Sequence, residues 1–135
     1  MLNQPYIIYV EDDSFSRTVM EMILKKGLGH KNLVIYENSN YFIERLDSLP
    51  VEPEIIFLDI HMGPYDGFTL LKMIRENPKY CSVKVIALTA SVMNEEVSML
   101  QESGFDGGLA KPLDMELFPD LLERIRQGDE VWYTG

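Results

Sequence analysis

Ile55-Ile56-Phe57-Leu58-Asp59 is a run of four apolar residues closed by an acid. A strand that is apolar at every position, rather than at every second one, is covered on both faces, which is the habit of parallel sheets. Parallel neighbours need crossover connections, usually helical. The flanking sequence has both parts. Upstream, residues 6–10 are a β-rich run that stops at Glu11-Asp12-Asp13. Ser14 follows as a helix cap, and Val19, Met20, Ile23 and Leu24 recur at helical spacing up to Gly27. Residues 33–36 are a second strand candidate, with a helix over residues 41–49.

Downstream of Asp59, a loop rich in Gly, Pro and Asp leads to Phe68, Leu71 and Ile74, one helical face that stops near Asn77-Pro78. Residues 83–88 read as a fourth strand and residues 92–101 as a fourth helix, ended by Gly104 as its C-cap. A short fifth strand lies near Leu109-Ala110, and Phe118, Leu121, Leu122 and Ile125 form the stripe of a final helix. Alternating strands and helices predict an α/β fold, a doubly wound five-stranded parallel sheet flanked by five helices. The domain is expected over residues 1–127, with residues 128–135 as a C-terminal tail holding Trp132 and Tyr133.

The 135 residues, 46% of them hydrophobic, suffice for one domain with a real core. A net charge of -10, from 22 acids and 12 bases, argues against direct binding to nucleic acid or to an anionic membrane. One cysteine, Cys81, leaves no internal disulfide and suits a reducing compartment. Residues 1–5 lack the basic flank and apolar run of a signal peptide, so a cytoplasmic location is expected.

Open parallel sheets bind ligands at the carboxyl ends of their strands. Strand one ends in Glu11-Asp12-Asp13, strand three in Asp59, strand four in Thr89 and strand five in Lys111. Close carboxylates stay ionised together only with a cation among them, and hard oxygen donors favour Mg²⁺ or Mn²⁺ over zinc. A carboxylate beside such an ion, a lysine and a hydroxyl can accept a phosphoryl group. Taken alone, Glu11-Asp12-Asp13 reads equally as a solvated turn before a helix, and Thr89 as an ordinary strand-end threonine.

Four motifs in order resemble one family. They are Val10-Glu11-Asp12-Asp13 with Arg17, Phe57-Leu58-Asp59 with Met62 and Asp66-Gly67, Ala87-Leu88-Thr89-Ala90, and Ala110-Lys111-Pro112. Together they resemble the receiver domain of two-component response regulators, over residues 6–126. The resemblance implies a flavodoxin/CheY-like strand order of 2-1-3-4-5. It implies Asp59 as phosphoacceptor, Thr89 as the switch hydroxyl and Lys111 as the ammonium paired with the phosphoryl group. It implies a metal held by Asp12, Asp59 and the backbone carbonyl of His61, with Glu11 acting through water. A cis Lys111–Pro112 peptide is expected.

Implied partners are a sensor histidine kinase or a histidine phosphotransfer protein, and a downstream protein docking on the face of helix 4, strand 5 and helix 5. The chain is not expected to turn over a separate substrate, although it can dephosphorylate itself; the His61 side chain at the mouth, or Ser91, could tune that hydrolysis. The family places an aromatic residue three before the lysine, where this chain has Gly108. That departure keeps a phosphorylation-independent docking module as a second reading, and the chain reads also as a receiver fragment of a longer regulator. A small phosphatase of the haloacid-dehalogenase type is disfavoured because Asp59-Ile60-His61 lacks a second acid. A flavin binder is disfavoured because the acidic first loop repels phosphate.

Overall fold

A computed structural model of the chain describes residues 5–90 and 93–133. Ser91, and Val92 where the fourth helix was expected to begin, lie outside the described residues, as do residues 1–4, 134 and 135. In chain order the elements are β1 (Ile7–Val10), α1 (Ser14–Glu21), a π-helical turn (Met22–Gly27), β2 (Leu33–Tyr36), α2 (Phe42–Asp47) and β3 (Ile55–Asp59). There follow α3 (Gly67–Glu76), β4 (Lys84–Thr89), α4 (Asn94–Ser103), β5 (Gly107–Ala110), α5 (Phe118–Arg126) and β6 (Val131–Tyr133).

All five residues of β3 are buried, as its unbroken apolarity requires. Alternate side chains feed two layers. Ile7, Tyr9, Ile55, Phe57, Ile86 and Leu88 pack with Met20 and Leu24 below them and with Phe118, Leu122 and Ile125 of α5. Ile8, Val10, Ile56, Leu58, Val85 and Ala87 pack against α2, α3 and α4. The Phe57 and Phe118 rings meet at a centroid distance of 5.9 Å. Burial of each such side chain contributes about 1.5–3 kcal/mol.

The sheet is parallel throughout and runs β2-β1-β3-β4-β5-β6. This corrects the expected count of five strands. Residues 131–133, expected as tail, add a sixth strand in register with β5, pairing Gly107 with Val131 and Gly108 with Trp132. The reason is steric. A Cβ on Gly107 would stand 2.6 Å from the Val131 carbonyl oxygen, and one on Gly108 would stand 2.8 Å from Cζ3 of Trp132. Two side-chain-free positions let the returning chain lie down on β5. Val131 then joins the α1/α5 layer and Trp132 the α4 layer.

Local details also differ from the sequence reading. Asp13, not Ser14, caps α1: its backbone is extended and its carboxylate accepts from the Ser16 N–H at 2.8 Å. Both residue types cap well, but the cap must stand just outside the helix with extended backbone, and here that residue is Asp13, since Ser14 is already helical. The Lys111–Pro112 bond is cis, as expected, and so is Gly63–Pro64.

Candidate phosphoacceptor site

Parallel register brings distant residues to one rim. Val10 pairs with Leu58, Asp59 with Leu88, and Thr89 with Ala110. The residues at or just past those positions are Glu11, Asp59, Thr89 and Lys111, all at the carboxyl ends of neighbouring strands. Lys111 is tied in by its own backbone, whose N–H donates to the Thr89 carbonyl at 2.9 Å. The β3–α3 loop closes tightly behind Asp59. The Gly67 N–H donates to the Ile60 carbonyl at 3.0 Å, and a Cβ on Gly67 would come within 2.8 Å of the Asp59 carbonyl oxygen. Asp66 caps α3 by accepting from the Thr69 N–H at 2.8 Å.

Lys111 Nζ donates to Glu11 Oε1 at 3.0 Å and to Asp59 Oδ1 at 3.2 Å. Glu11 is fully buried and Asp59 is 4% exposed. Glu11, Asp12 and Asp59 each offer a carboxylate oxygen within 4.8 Å of the others, and Asp12 stands on the exposed side. Glu11 Oε1 also accepts from the Tyr9 hydroxyl at 2.5 Å, and its Oε2 from the Asp13 N–H at 3.3 Å. Arg17 anchors the loop by donating to the Glu11 carbonyl at 3.0 Å. Thr89 is 3% exposed at the end of β4. His61 is exposed and, with Ile60, Phe68, Thr89, Glu96 and Leu100, lines a cavity of about 210 Å³ beside the site.

The two buried acids are driven apart. Burial pushes Asp59 up to about 7, and the hydrogen bond and charge of Glu11 push the same way against the pull of Lys111. Burial acts upward on Glu11 too, but hydrogen bonds with Asp59, Tyr9 and Lys111 outweigh it and hold Glu11 below its ordinary value. Burial lowers Lys111, yet Glu11 and then Asp59 raise it above its ordinary value overall. Three crowded carboxyls with one ammonium thus hold an excess of negative charge that a proton on Asp59 relieves. A divalent cation would relieve it better, and the all-oxygen donor set fits Mg²⁺.

Glu11, Asp12, Asp59 and Lys111 therefore come together, Thr89 and His61 line the neighbouring cavity, and Asp13 turns to helix capping. Tyr9 was missed. Its signal was present, since residues two apart in a strand share a side.

A family model for the response regulator receiver domain matches residues 7–126. The chain is a receiver domain of that family. Among curated relatives, the DNA-binding transcriptional regulator NtrC of Proteus hauseri is 35% identical over 117 residues, covering 85% of this chain and 23% of that protein. The signal transduction histidine-protein kinase BarA of Escherichia coli is 26% identical over 125 residues, covering 93% of this chain and 13% of that protein. This receiver thus spans well under two thirds of either relative. An uncharacterized 14.6 kDa protein of Leptolyngbya boryana is 32% identical over 114 residues, with 84% and 83% of the two chains covered. In fold, the receiver resembles a chemotaxis response regulator of Vibrio cholerae, with a TM-score of 0.79 at 20% identity over 91% of this chain and 99% of that one. Receiver domains are signalling proteins that work with histidine kinases and downstream effectors rather than substrate-turnover enzymes, and phosphorylation on aspartate is typical of them. No helix among the described residues is long and apolar enough to cross a membrane.

Proposed function

We propose that Asp59 is the phosphoacceptor of this receiver and that Mg²⁺ or Mn²⁺ binds beside it. The observation that carries this reading is Lys111 Nζ, held between Glu11 and Asp59 at 3.0 and 3.2 Å with Asp12 completing the acid cluster. A Pseudomonas aeruginosa receiver domain of similar fold (22% identity, TM-score 0.77) is described with magnesium coordinated in its active-site cleft. Here Asp12, Asp59 and the backbone carbonyl of His61 would hold the ion directly. Glu11, with both oxygens already engaged by protein donors, would act through water. When bound, the cation supplies the positive charge that lets the acids stay ionised together and offsets charge on the incoming phosphoryl oxygens.

An Asp59 carboxylate oxygen attacks the phosphorus of a phosphohistidine in line. The new O–P bond forms as the P–N bond breaks, and the imidazole keeps the bonding pair and takes a proton from solvent. Lys111 sits against Oδ1 and neutralises phosphoryl charge, while the Thr89 hydroxyl donates to one phosphoryl oxygen. Water attack on the same phosphorus later releases phosphate and restores the carboxylate. The donor is a sensor histidine kinase or a histidine phosphotransfer protein, in the cytoplasm. Drawing Thr89 toward the phosphoryl group biases the α4–β5–α5 face between two states, and a downstream protein reads the difference.

Intact mass after incubation with a small acyl phosphate and Mg²⁺ tests this. One added phosphoryl group is expected, absent in Asp59→Asn and absent without metal. No adduct on the wild type with any donor or metal overturns the reading and leaves a docking module that works without phosphorylation.

A further inference from the structure

The Tyr9 ring belongs to the core layer under α1 and α5, where a phenylalanine would fill the same space. Its hydroxyl goes further. Residue 9 lies two before residue 11, so both side chains leave β1 on the same side, and the phenol ends at the site's most buried acid. It donates to Glu11 Oε1 at 2.5 Å, the same oxygen that accepts Lys111 Nζ at 3.0 Å. The Asp13 N–H takes the other oxygen at 3.3 Å. Donors from β1, from the loop after it and from beyond β5 therefore hold one carboxylate. Without the phenol, Oε1 would lose its donor from β1 and keep the flexible lysine, which Asp59 also attracts.

We propose that Tyr9 is a positioning residue: its hydroxyl fixes the orientation of Glu11 and, through the shared Oε1, the place of Lys111 beside Asp59. The proposal rests on the reading of Asp59 as a phosphoacceptor beside a cation, because those are the groups that Glu11 and Lys111 serve. A buried tyrosine needs some partner for its hydroxyl. What separates positioning from mere satisfaction is the partner, an anion shared with the lysine, where a neutral backbone carbonyl would have sufficed. Hydrogen bonds to charged acceptors are short and strong, and groups that orient a metal site's acids affect metal affinity.

The test is a double-mutant cycle on the full chain, with Tyr9→Phe keeping the ring and Glu11→Gln removing the charged acceptor. Mg²⁺ affinity is measured by titration calorimetry and the rate of acylphosphate formation by intact mass. Tyr9→Phe is expected to weaken Mg²⁺ binding about tenfold or more. In the Glu11→Gln background it should cost less than about twofold, because the route through Glu11 is gone. Unchanged affinity in Tyr9→Phe, or equal losses in both backgrounds, overturns the proposal. A metal-free readout stands beside it: the Lys111 ammonium, held by two acids, should give a slowly exchanging nitrogen-edited NMR signal that Tyr9→Phe broadens or abolishes. A signal unaltered by Tyr9→Phe also overturns the proposal. Should the wild type bind no Mg²⁺ and take no phosphoryl group, the phosphoacceptor reading falls, and the ammonium signal alone decides the role of Tyr9.

Discussion

The rim of β1, β3 and β4 and the edge formed by β5 and β6 are both built where parallel strands end or meet, but by opposite means. At the rim, charge is concentrated: Glu11, Asp59 and Lys111 crowd together, and the pull of Lys111 offsets only part of the cost of burying Asp59 beside Glu11. At the edge, bulk is removed: Gly107 and Gly108 clear the surface of β5 so that Val131 and Trp132 can lie on it. The rim holds strain in the form of like charges, which suits the cation and the phosphoryl group proposed for it. The edge holds none and simply extends the core. The difference teaches that burial in one small sheet can serve chemistry at one place and stability at another.

If the two regions do separate jobs, rim variants should alter chemistry and edge variants stability. The largest effect belongs to Lys111→Ala. Phosphorylation by a small acyl phosphate should slow by about a hundredfold or more, read from the time course of the mass adduct. Gly107→Ala should cost about 2–3 kcal/mol in urea unfolding, since the added methyl meets the backbone carbonyl of Val131 at 2.6 Å. It should also red-shift the fluorescence of Trp132 as β6 lifts away. A change of more than about threefold in phosphorylation rate would break the comparison, because it would show that the β5–β6 edge acts on the rim through Lys111, the residue that follows β5. Trp132→Ala should cost about 2 kcal/mol, less than a fully buried tryptophan because the ring is only half-buried.

Asp59→Asn sharpens the comparison from the other side, by stabilising the protein. Asp59 is raised from 3.8 to about 7 in the folded domain. Between those values the folded state binds more protons than the unfolded one, so metal-free stability falls as pH rises from about 4 to about 7. Asparagine removes that penalty. The variant should gain about 1–2 kcal/mol at pH 8 without metal and only about a third as much at pH 5, because the unfolded Asp59 is already ionised there while the folded one still holds its proton. Equal gains at both pH values would show that the rim's charge crowding is not the cause.

Legibility followed the same division. The places of the strand-end acids, Thr89 and Lys111 were readable because periodicity locates the strand ends at which they stand. The cap of α1 was misread by one residue because Asp13 and Ser14 are both good cap residues, and only the backbone angle at Asp13 decides between them. Tyr9 looked like core because its ring is core; the bond of its hydroxyl to Glu11 depends on where that carboxylate turns.

The chain's own pattern determined the α/β class, the parallel sheet and the identity of the groups at its rim, since these depend on residue type and local spacing. Tertiary structure alone decided in which directions the crowded acids are shifted, what Tyr9 touches, and where the last strand goes. Gly107-Gly108 stands just before the expected fifth strand and Val131-Trp132 in the expected tail, and neither pair signals a contact with the other. Their meaning arises only when chain separated by the whole of α5 returns to pack one against the other.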